Sequence, residues 1–367
     1  MSDRPDIVPP GAPEVENVLS FDVVIATRNR PEALALSIPL ILGQSRQPEK
    51  LIVVDSSQDH APVADTVAQA TQGWPGQVIV EHSGPGLPFQ RNIGLAHVTA
   101  DVVIFPDDDS LLYPGAAQAI MSIYERDKDA VVTGVCGVPA GRPPEGAIPD
   151  GSYTMSKELV REDRTRRWRN RIQTRFSALK PSLYLGQMLS NRHPVPDWIA
   201  ADDRLSVVAH MTGFRMSFRS AAIKKTGFDD ALQGYALSED IDASLAVARH
   251  GLLIGARDAE IYHHRFPGGR GNGFNLGAIG ILNRVYIALK HTSDAELSAD
   301  ETTGLRTRLR WFVHLSRLNA LIRSRSEFGR DRRRGTFAAA AQIKGMLTAS
   351  RADLADQYRK ALEALGI

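Results

Sequence analysis

Val102-Val103-Ile104-Phe105-Pro106-Asp107-Asp108-Asp109 is the stretch on which the fold reading turns. A short apolar run closed by proline reads as a buried strand that ends at the edge of a sheet. In open parallel sheets the carboxyl ends of the strands form the crevice where ligands bind. Three adjacent carboxylates delivered there repel one another unless a cation or cationic side chains neutralise them. Hard divalent cations such as Mg²⁺ and Mn²⁺ take oxygen ligands of this kind, commonly one or two carboxylates plus substrate phosphates. A solvated acidic turn would use the same residues, since Asp is common in turns.

Working outward, the flanking sequence alternates strands and helices. Phe21 to Ala26 is a strand, followed by a helix with Pro31 near its start and Gly43 at its close. Leu51 to Asp55 and Val78 to Val80 are further strands. Gly84-Pro85-Gly86 leads into a helix around Arg91 to His97, then into the strand before the aspartates, and Val131-Val132-Thr133 starts a fifth. This alternation implies βαβ units and a mostly parallel central sheet flanked by helices, an α/β Rossmann-like class. Arg161 to Arg175 holds seven arginines and opens an irregular, Pro-interrupted region. Ser238 is expected to cap a helix from Glu239 to His250, with Gly251 at its end. Leu252 to Ile254 and Ala259 to Tyr262 read as two short strands, and the chain beyond Leu276 as helical.

Composition sets the bounds. With 367 residues, 43% of them hydrophobic, the chain can bury a sizeable core, and its net charge of +2 creates no global field that demands a nucleic-acid partner. The single cysteine, Cys136, excludes a disulfide framework and suits a reducing compartment. No apolar stretch approaches the ~20 residues that span a bilayer, and Met1 to Asn17 lacks an apolar signal core. A cytoplasmic location is expected, with 1–19 as a loose tail.

Four features carry chemistry. Thr27-Arg28-Asn29-Arg30-Pro31 sits at the tip of the first strand, where cationic side chains and a helix N-terminus could meet phosphate. Asp55 ends the second strand as an acceptor for a ribose hydroxyl or a base N–H. The acidic triplet is the third. Glu239-Asp240-Ile241-Asp242, opening a helix, is the fourth, although acids in a first turn also simply complement the helix dipole.

Together these residues resemble the family 2 glycosyltransferases of the GT-A fold, from about Phe21 to Tyr286. The matching pieces are Val23 to Arg30, Val53 to Ser57, Arg91-Asn92-Ile93-Gly94, Phe105 to Asp109, Gly213 to Arg219, Glu239 to Asp242 and Ile261 to His264. The resemblance implies a GT-A domain over 20–285, with 150–205 as an irregular Arg-rich insert and 286–367 as a helical C-terminal extension. It implies transfer of a sugar, with inversion, from a UDP- or dTDP-linked donor to a hydroxyl of a glycan or lipid-linked saccharide, in a surface or secreted polysaccharide pathway. Thr27, Arg28 and Asp55 match base- and ribose-binding positions, and Arg91 a nucleotide contact. Arg30, Asp108 and Glu239 fall in the donor-binding set. Asp109 and His263 match metal ligands for Mg²⁺ or Mn²⁺. Asp107 is expected on the ribose or a metal-bound water, and Asp240 as the catalytic base. His264 would orient its neighbour or touch phosphate.

Two further segments invite a phosphate or a surface. Arg265 to Gly273 is Gly-rich, so backbone amides could approach a diphosphate and Arg270 could clamp it. From Leu305 to Ile322, Leu305, Leu309, Phe312, Leu315, Leu318 and Ile322 recur at helical spacing among many arginines, a basic amphipathic pattern that suits either packing on the domain or the inner face of an anionic membrane. A nucleotidyltransferase is the rival enzyme, but Thr27 to Pro31 lacks the glycines of its phosphate loop. The other rival is a non-catalytic membrane- or RNA-binding protein on a transferase scaffold. Trp168 among the arginines suggests it, and no nucleic-acid motif accompanies it.

Overall fold

The fold was taken from a computed structural model, which describes residues 18–148, 180–232, 236–266, 272–294, 297–322 and 324–367. Residues 1–17 of the expected tail, the arginine cluster 161–175 with Trp168, and Arg270 lie outside these residues.

Nine strands form one sheet: β1 (Phe21–Thr27), β2 (Lys50–Asp55), β3 (Gln77–His82), β4 (Val102–Phe105), β5 (Ser110–Leu112), β6 (Val132–Pro139), β7 (Leu205–Val207), β8 (Met216–Arg219) and β9 (Leu252–His263). Their order is β3-β2-β1-β4-β8-β6-β9-β5, with β7 on the flank of β9. The first half is parallel, as the alternating pattern predicts. β8 then enters antiparallel between β4 and β6, while β6 and β9 run parallel. Parallel β1, β2 and β4 therefore end at one edge, where Thr27, Asp55 and the turn after Phe105 meet.

Strand alternation divides the core in two. Val23, Ile25, Leu51, Val53 and Ile104 face a layer containing the helices Pro31–Leu42, Ala61–Ala70 and Ala116–Arg126. Val24, Ile52, Val54, Val103 and Phe105 face the opposite layer, which holds the helix Glu239–Val247 and the C-terminal helices. The helix Leu87–His97 lies so close to β1 that a Cβ on Gly94 would stand 2.3 Å from Val24 Cγ1. That close approach brings Arg91, one turn earlier, under the strand ends.

Local expectations differ from the structure at several points, beginning within 180–205, expected to be irregular, where Pro181–Ser190 is a helix. Ser238 has φ of +81° and makes no side-chain cap; Asp240 Oδ1 instead accepts from its neighbour Ile241 N at 2.8 Å. The helix ends at Val247, and Gly251 serves packing, since a Cβ there would lie 2.3 Å from the Val131 carbonyl. The two short strands expected after it are one strand of 12 residues, β9. Pairing to β6 on one side and β5 and β7 on the other holds it continuous.

The C-terminal helices Gly273–Asp294, Ala299–Ile322, Glu327–Thr348 and Leu354–Glu363 share the second core layer. The first runs through the expected boundary at 285, with Val285 and Tyr286 buried. Tyr358 donates to Asn283 Oδ1 at 2.7 Å, and Asn283 donates to the Leu237 carbonyl at 2.8 Å, tying the last helix to the chain entering Glu239–Val247. Leu305, Leu309 and Val313 are buried, whereas Trp311, Leu318, Leu321 and Ile322 are exposed. Among the described residues no helix is long and apolar enough to cross a membrane.

A buried ionic network locks the same helices. Asp242 accepts from His291 Nε2 at 2.8 Å and from Lys290 at 2.9 Å, and Lys290 also reaches Asp229 at 2.7 Å. Burial alone would raise the Asp242 carboxyl, but the His291 and Lys290 bonds prevail and hold it down at about 2. Its folded pKa lies below the ordinary value of 3.8, so its stabilisation is present above pH ~4 and lost as pH falls toward ~2. At roughly 1.4 kcal/mol per unit this amounts to about 2 kcal/mol. The melting-temperature gap between the parent and Asp242→Asn should therefore narrow between pH 4 and pH 2. A constant gap across that range would contradict the network's ionic role.

Candidate active site

The acidic triplet turns out of β4 into β5, and the β5–β9 register decides what it meets. Ser110 pairs with His263 and Leu111 with Tyr262, so the imidazole at the end of β9 stands beside Asp109. His263 Nε2 lies 3.1 Å from Asp109 Oδ1 and 3.9 Å from Asp107 Oδ2. The other Asp109 oxygen accepts from Phe266 N at 2.8 Å, and the Asp109 carbonyl accepts from His264 N at 3.0 Å. Phe214 stacks on the His263 ring at 4.6 Å. Asp107 and Asp109 share this side of the turn. Asp108 points the other way, accepting from Thr27 Oγ1 at 2.9 Å and Arg30 Nη1 at 2.7 Å.

Arg91 joins the triplet to the helix Glu239–Val247. Its guanidinium, almost wholly buried, pairs with Asp107 at 3.0 Å and makes a short contact with Glu239 Oε1. Asp240, next in the chain, accepts from Gly213 N at 2.9 Å. Gly213 packs between the two groups: a Cβ there would lie 3.5 Å from Arg91 Nη2 and 3.7 Å from the Asp240 Cβ. Antiparallel pairing of Phe105 with Met216 brings the preceding Gly213-Phe214 turn to the end of β4.

The electrostatics are unbalanced. Asp107, Asp108, Asp109, Glu239 and Asp240 crowd around two guanidiniums, Arg30 and Arg91, and one imidazole. Burial, with Asp109 beside it, pushes Asp108 up to about 7 despite Arg30 and the Thr27 hydroxyl. Burial and Asp240 raise Glu239 against the pull of Arg91, and burial raises Asp107. Asp109 runs the other way: burial opposes its ionisation, but His263 holds it below the ordinary value, and in return Asp109 raises His263. Asp109 Oδ1 is buried and accepts no well-aligned hydrogen bond. A carboxylate oxygen and an imidazole nitrogen converging in this way, with Asp107 close by, fit the donor set of a divalent cation.

Asp55 is fully buried at the tip of β2. Its Oδ1 accepts from Ser57 N at 2.9 Å and Ser57 Oγ at 2.5 Å, and its Oδ2 meets His60 Nδ1 at 2.8 Å. His82, at the end of β3, lies against the His60 ring with centroids 4.9 Å apart. Gln90 ties the strand tips together by donating to the Thr27 and Val54 carbonyls, both at 2.8 Å. Arg28 is exposed at the mouth of this cleft.

Comparison with known proteins adds a family likeness over part of the chain. Residues 22–179 match the family model described as Glycosyl transferase family 2. Over that stretch the chain is similar to the family 2 glycosyl transferases. No curated protein matches the sequence. Among solved structures, the mannosyltransferase PcManGT from Pyrobaculum calidifontis, in complex with GDP-Man and Mn²⁺, is 15% identical with a TM-score of 0.50, covering 97% of this chain and 88% of its own. S. aureus TarS 1-349 is 13% identical with a TM-score of 0.51, covering 94% and 91%. Its complex with UDP-GlcNAc superposes equally well, with a TM-score of 0.51 at 14% identity. These likenesses show a common GT-A fold, in which this glycosyltransferase carries its helical C-terminal region.

Within this cleft the structure brings together Thr27, Arg30, Arg91, the triplet, Glu239, Asp240 and His263. Asp55 lies at the neighbouring strand tip, and Arg270 lies outside the described residues. Gln90, His60 and His82 had no local signal in the sequence, and Phe214 entered only within the matched piece Gly213 to Arg219. Gln90, Phe214 and His82 meet partners distant in the chain, and an isolated Gln, Phe or His carries no pattern of its own.

Proposed function

We propose that this glycosyltransferase moves a sugar, with inversion, from a UDP- or dTDP-linked donor to a hydroxyl of a glycan or lipid-linked saccharide. The observation that carries the reading is the convergence of Asp109 and His263 with Asp240, bridged by Arg91 through Asp107 and Glu239. The acceptor hydroxyl attacks the anomeric carbon as the Asp240 carboxylate takes its proton, and the bond from that carbon to the diphosphate breaks on the opposite face. One base on the attacking side suffices for single displacement, and no carboxylate nucleophile is needed. Asp109 and His263 would hold Mg²⁺ or Mn²⁺, with Asp107 nearby. When bound, such an ion stabilises the charge that grows on the diphosphate leaving group. The GDP-Man and Mn²⁺ of one structural relative and the UDP-GlcNAc of another support this donor class. In this proposal Arg28 serves the base and ribose, and Arg270 clamps the diphosphate. The exposed Trp311, Leu318, Leu321 and Ile322 support a cytoplasmic enzyme resting peripherally on an anionic membrane.

A thermal-shift panel of nucleoside diphosphates, each with and without Mn²⁺, tests the donor side, because a ligand that binds the folded state raises its stability. UDP or dTDP should raise the melting temperature only when Mn²⁺ is present. His263→Ala should lose most of that Mn²⁺-dependent shift, with ion affinity weakened at least ~10-fold, the lower bound for disturbing even supporting residues of a metal site. An undiminished Mn²⁺ response in the variant would remove His263 from the ligand set.

A further inference from the structure

The tips of β2 and β3 carry a second group of metal-type side chains, on different strands from Asp109 and His263. Parallel register sets Asp55 beside His82, and the turn after β2 brings His60 back to both, just before the helix Ala61–Ala70. Each of the three can offer one ligand atom, all within 4.8 Å of one another.

Their surroundings hold them in place. Asp55 is fully buried, and Ser57 N and Oγ donate to its Oδ1 at 2.9 and 2.5 Å. His60 Nδ1 donates to Asp55 Oδ2 at 2.8 Å, and His82 Nε2 donates to the Ser57 carbonyl at 2.8 Å. Ser57 therefore positions both the carboxylate and one imidazole. Asn29, in a left-handed turn at φ +54°, steadies it by donating its N–H to Ser57 Oγ at 2.6 Å. Metal-binding imidazoles are oriented in this way, through one ring nitrogen bonded to a carboxylate or carbonyl. The other nitrogen of each ring has no hydrogen-bond partner among the described residues. His60 is also the only basic side chain within ion-pair distance of Asp55 among them. A buried carboxylate with no guanidinium or ammonium to balance it favours a bound cation.

We propose that Asp55, His60 and His82 form a second divalent-cation site, suited to Zn²⁺. Two imidazoles and a carboxylate with an open fourth position make a Zn²⁺ donor set, whereas Mg²⁺ and Mn²⁺ prefer oxygen ligands. Ligand atoms ~2.0–2.2 Å from Zn²⁺ in a tetrahedron stand roughly 3.4 Å apart, so binding draws the group together by about 1 Å. His60 is half-buried and His82 exposed, which gives both rings room for that movement and the ion a route from solvent. The ion also affects the neighbouring cleft. On Asp55 it takes the acceptor assigned to a ribose hydroxyl or base N–H, so Zn²⁺ should oppose nucleotide binding. That consequence, unlike the site itself, rests on the donor reading proposed above.

Titration of the full chain with Co²⁺, a coloured stand-in for Zn²⁺, tests the site through the ion's visible absorption. Excess Mg²⁺ is kept present to occupy oxygen-rich positions. The His263→Ala chain should retain one saturable Co²⁺ site, from which Zn²⁺ displaces the ion. Adding His82→Ala or His60→Gln to that chain should weaken Co²⁺ binding at least ~10-fold. His82 is exposed, so its variant should keep the parent's circular dichroism and metal-free melting temperature. Undiminished Co²⁺ affinity on adding His82→Ala would overturn the proposal. So would loss of all Co²⁺ binding in His263→Ala alone, which would put the ion at the triplet. Titration with UDP in Mn²⁺, on the same preparations, separates this site from the donor reading. Added Zn²⁺ should lower UDP affinity in the parent and not in His82→Ala. Co²⁺ binding with UDP affinity unchanged by Zn²⁺ supports the site and removes the competition. Co²⁺ binding without any UDP binding supports the site and removes the donor reading.

Discussion

Asp240→Asn should lower kcat by ~10²–10⁴-fold, the usual contribution of a positioned general base, while nucleoside diphosphate affinity stays within about twofold. The substitution is nearly isosteric. An amide oxygen can keep the bond from Gly213 N, now 2.9 Å, but it cannot take up the acceptor's proton. The donor should be unaffected because Asp109 and His263, which would hold the cation and hence the diphosphate, are separate side chains on the β4–β5 turn and β9. Steady-state transfer assays, paired with titration of the diphosphate product, check both halves. If kcat falls only in proportion to lost folded protein, or donor affinity falls as far as kcat, Asp240 is supporting the site rather than taking the proton.

Arg91→Leu should destabilise the fold by roughly 3–5 kcal/mol, the cost of leaving buried charges without their partner. Arg91 is 2% exposed and is the only guanidinium reaching both Asp107, at 3.0 Å, and Glu239 among the described residues. Removing it leaves one half-exposed and one buried carboxylate facing Asp109 and Asp240. Glu239, already raised to about 8 and pushed higher without Arg91, softens the loss by taking a proton, so the deficit should be largest above pH ~8 and shrink as the pH falls to it. Arg91→Lys should recover only part of the stability, because a single ammonium cannot make the forked contact. Urea unfolding of the three proteins gives the comparison directly. A loss under about 1 kcal/mol for Arg91→Leu, within the range of surface pairs, would show that the carboxylates find other partners.

Much of the cleft was readable before any coordinates. The tips of β1, β2 and β4 follow from apolar runs of strand length separated by helical segments, and parallel pairing then puts Thr27, Asp55 and the aspartates on one edge. Period-two alternation sets Asp107 and Asp109 together and Asp108 apart. Less readable was what each side chain does once there. Thr27 spends its hydroxyl on Asp108, both Asp55 oxygens are engaged by Ser57 and His60, and Glu239 is committed to Arg91. The Thr27 and Glu239 pairings span 81 and 148 residues, which no local spacing encodes, whereas the Asp55 partners stand 2 and 5 residues away and carry no motif that marks them. The helix at 239 shows the same limit. Ser and Gly at its ends read as caps, yet Ser238 adopts a left-handed turn and Gly251 answers to the Val131 carbonyl across the sheet.

The residues alone determined the class of fold, the strand ends that carry acids and the chemistry those acids suit, because hydrophobic period and side-chain type are local properties. Tertiary structure decided the rest. The antiparallel pairing of Ser110 with His263 and Phe105 with Met216 chose which imidazole and which glycine reach the triplet. The packing of the last helices against Glu239–Val247 created a cavity beside Asp240. Strand register and helix packing minimise the energy of the whole core, so no short segment contains the information that sets them.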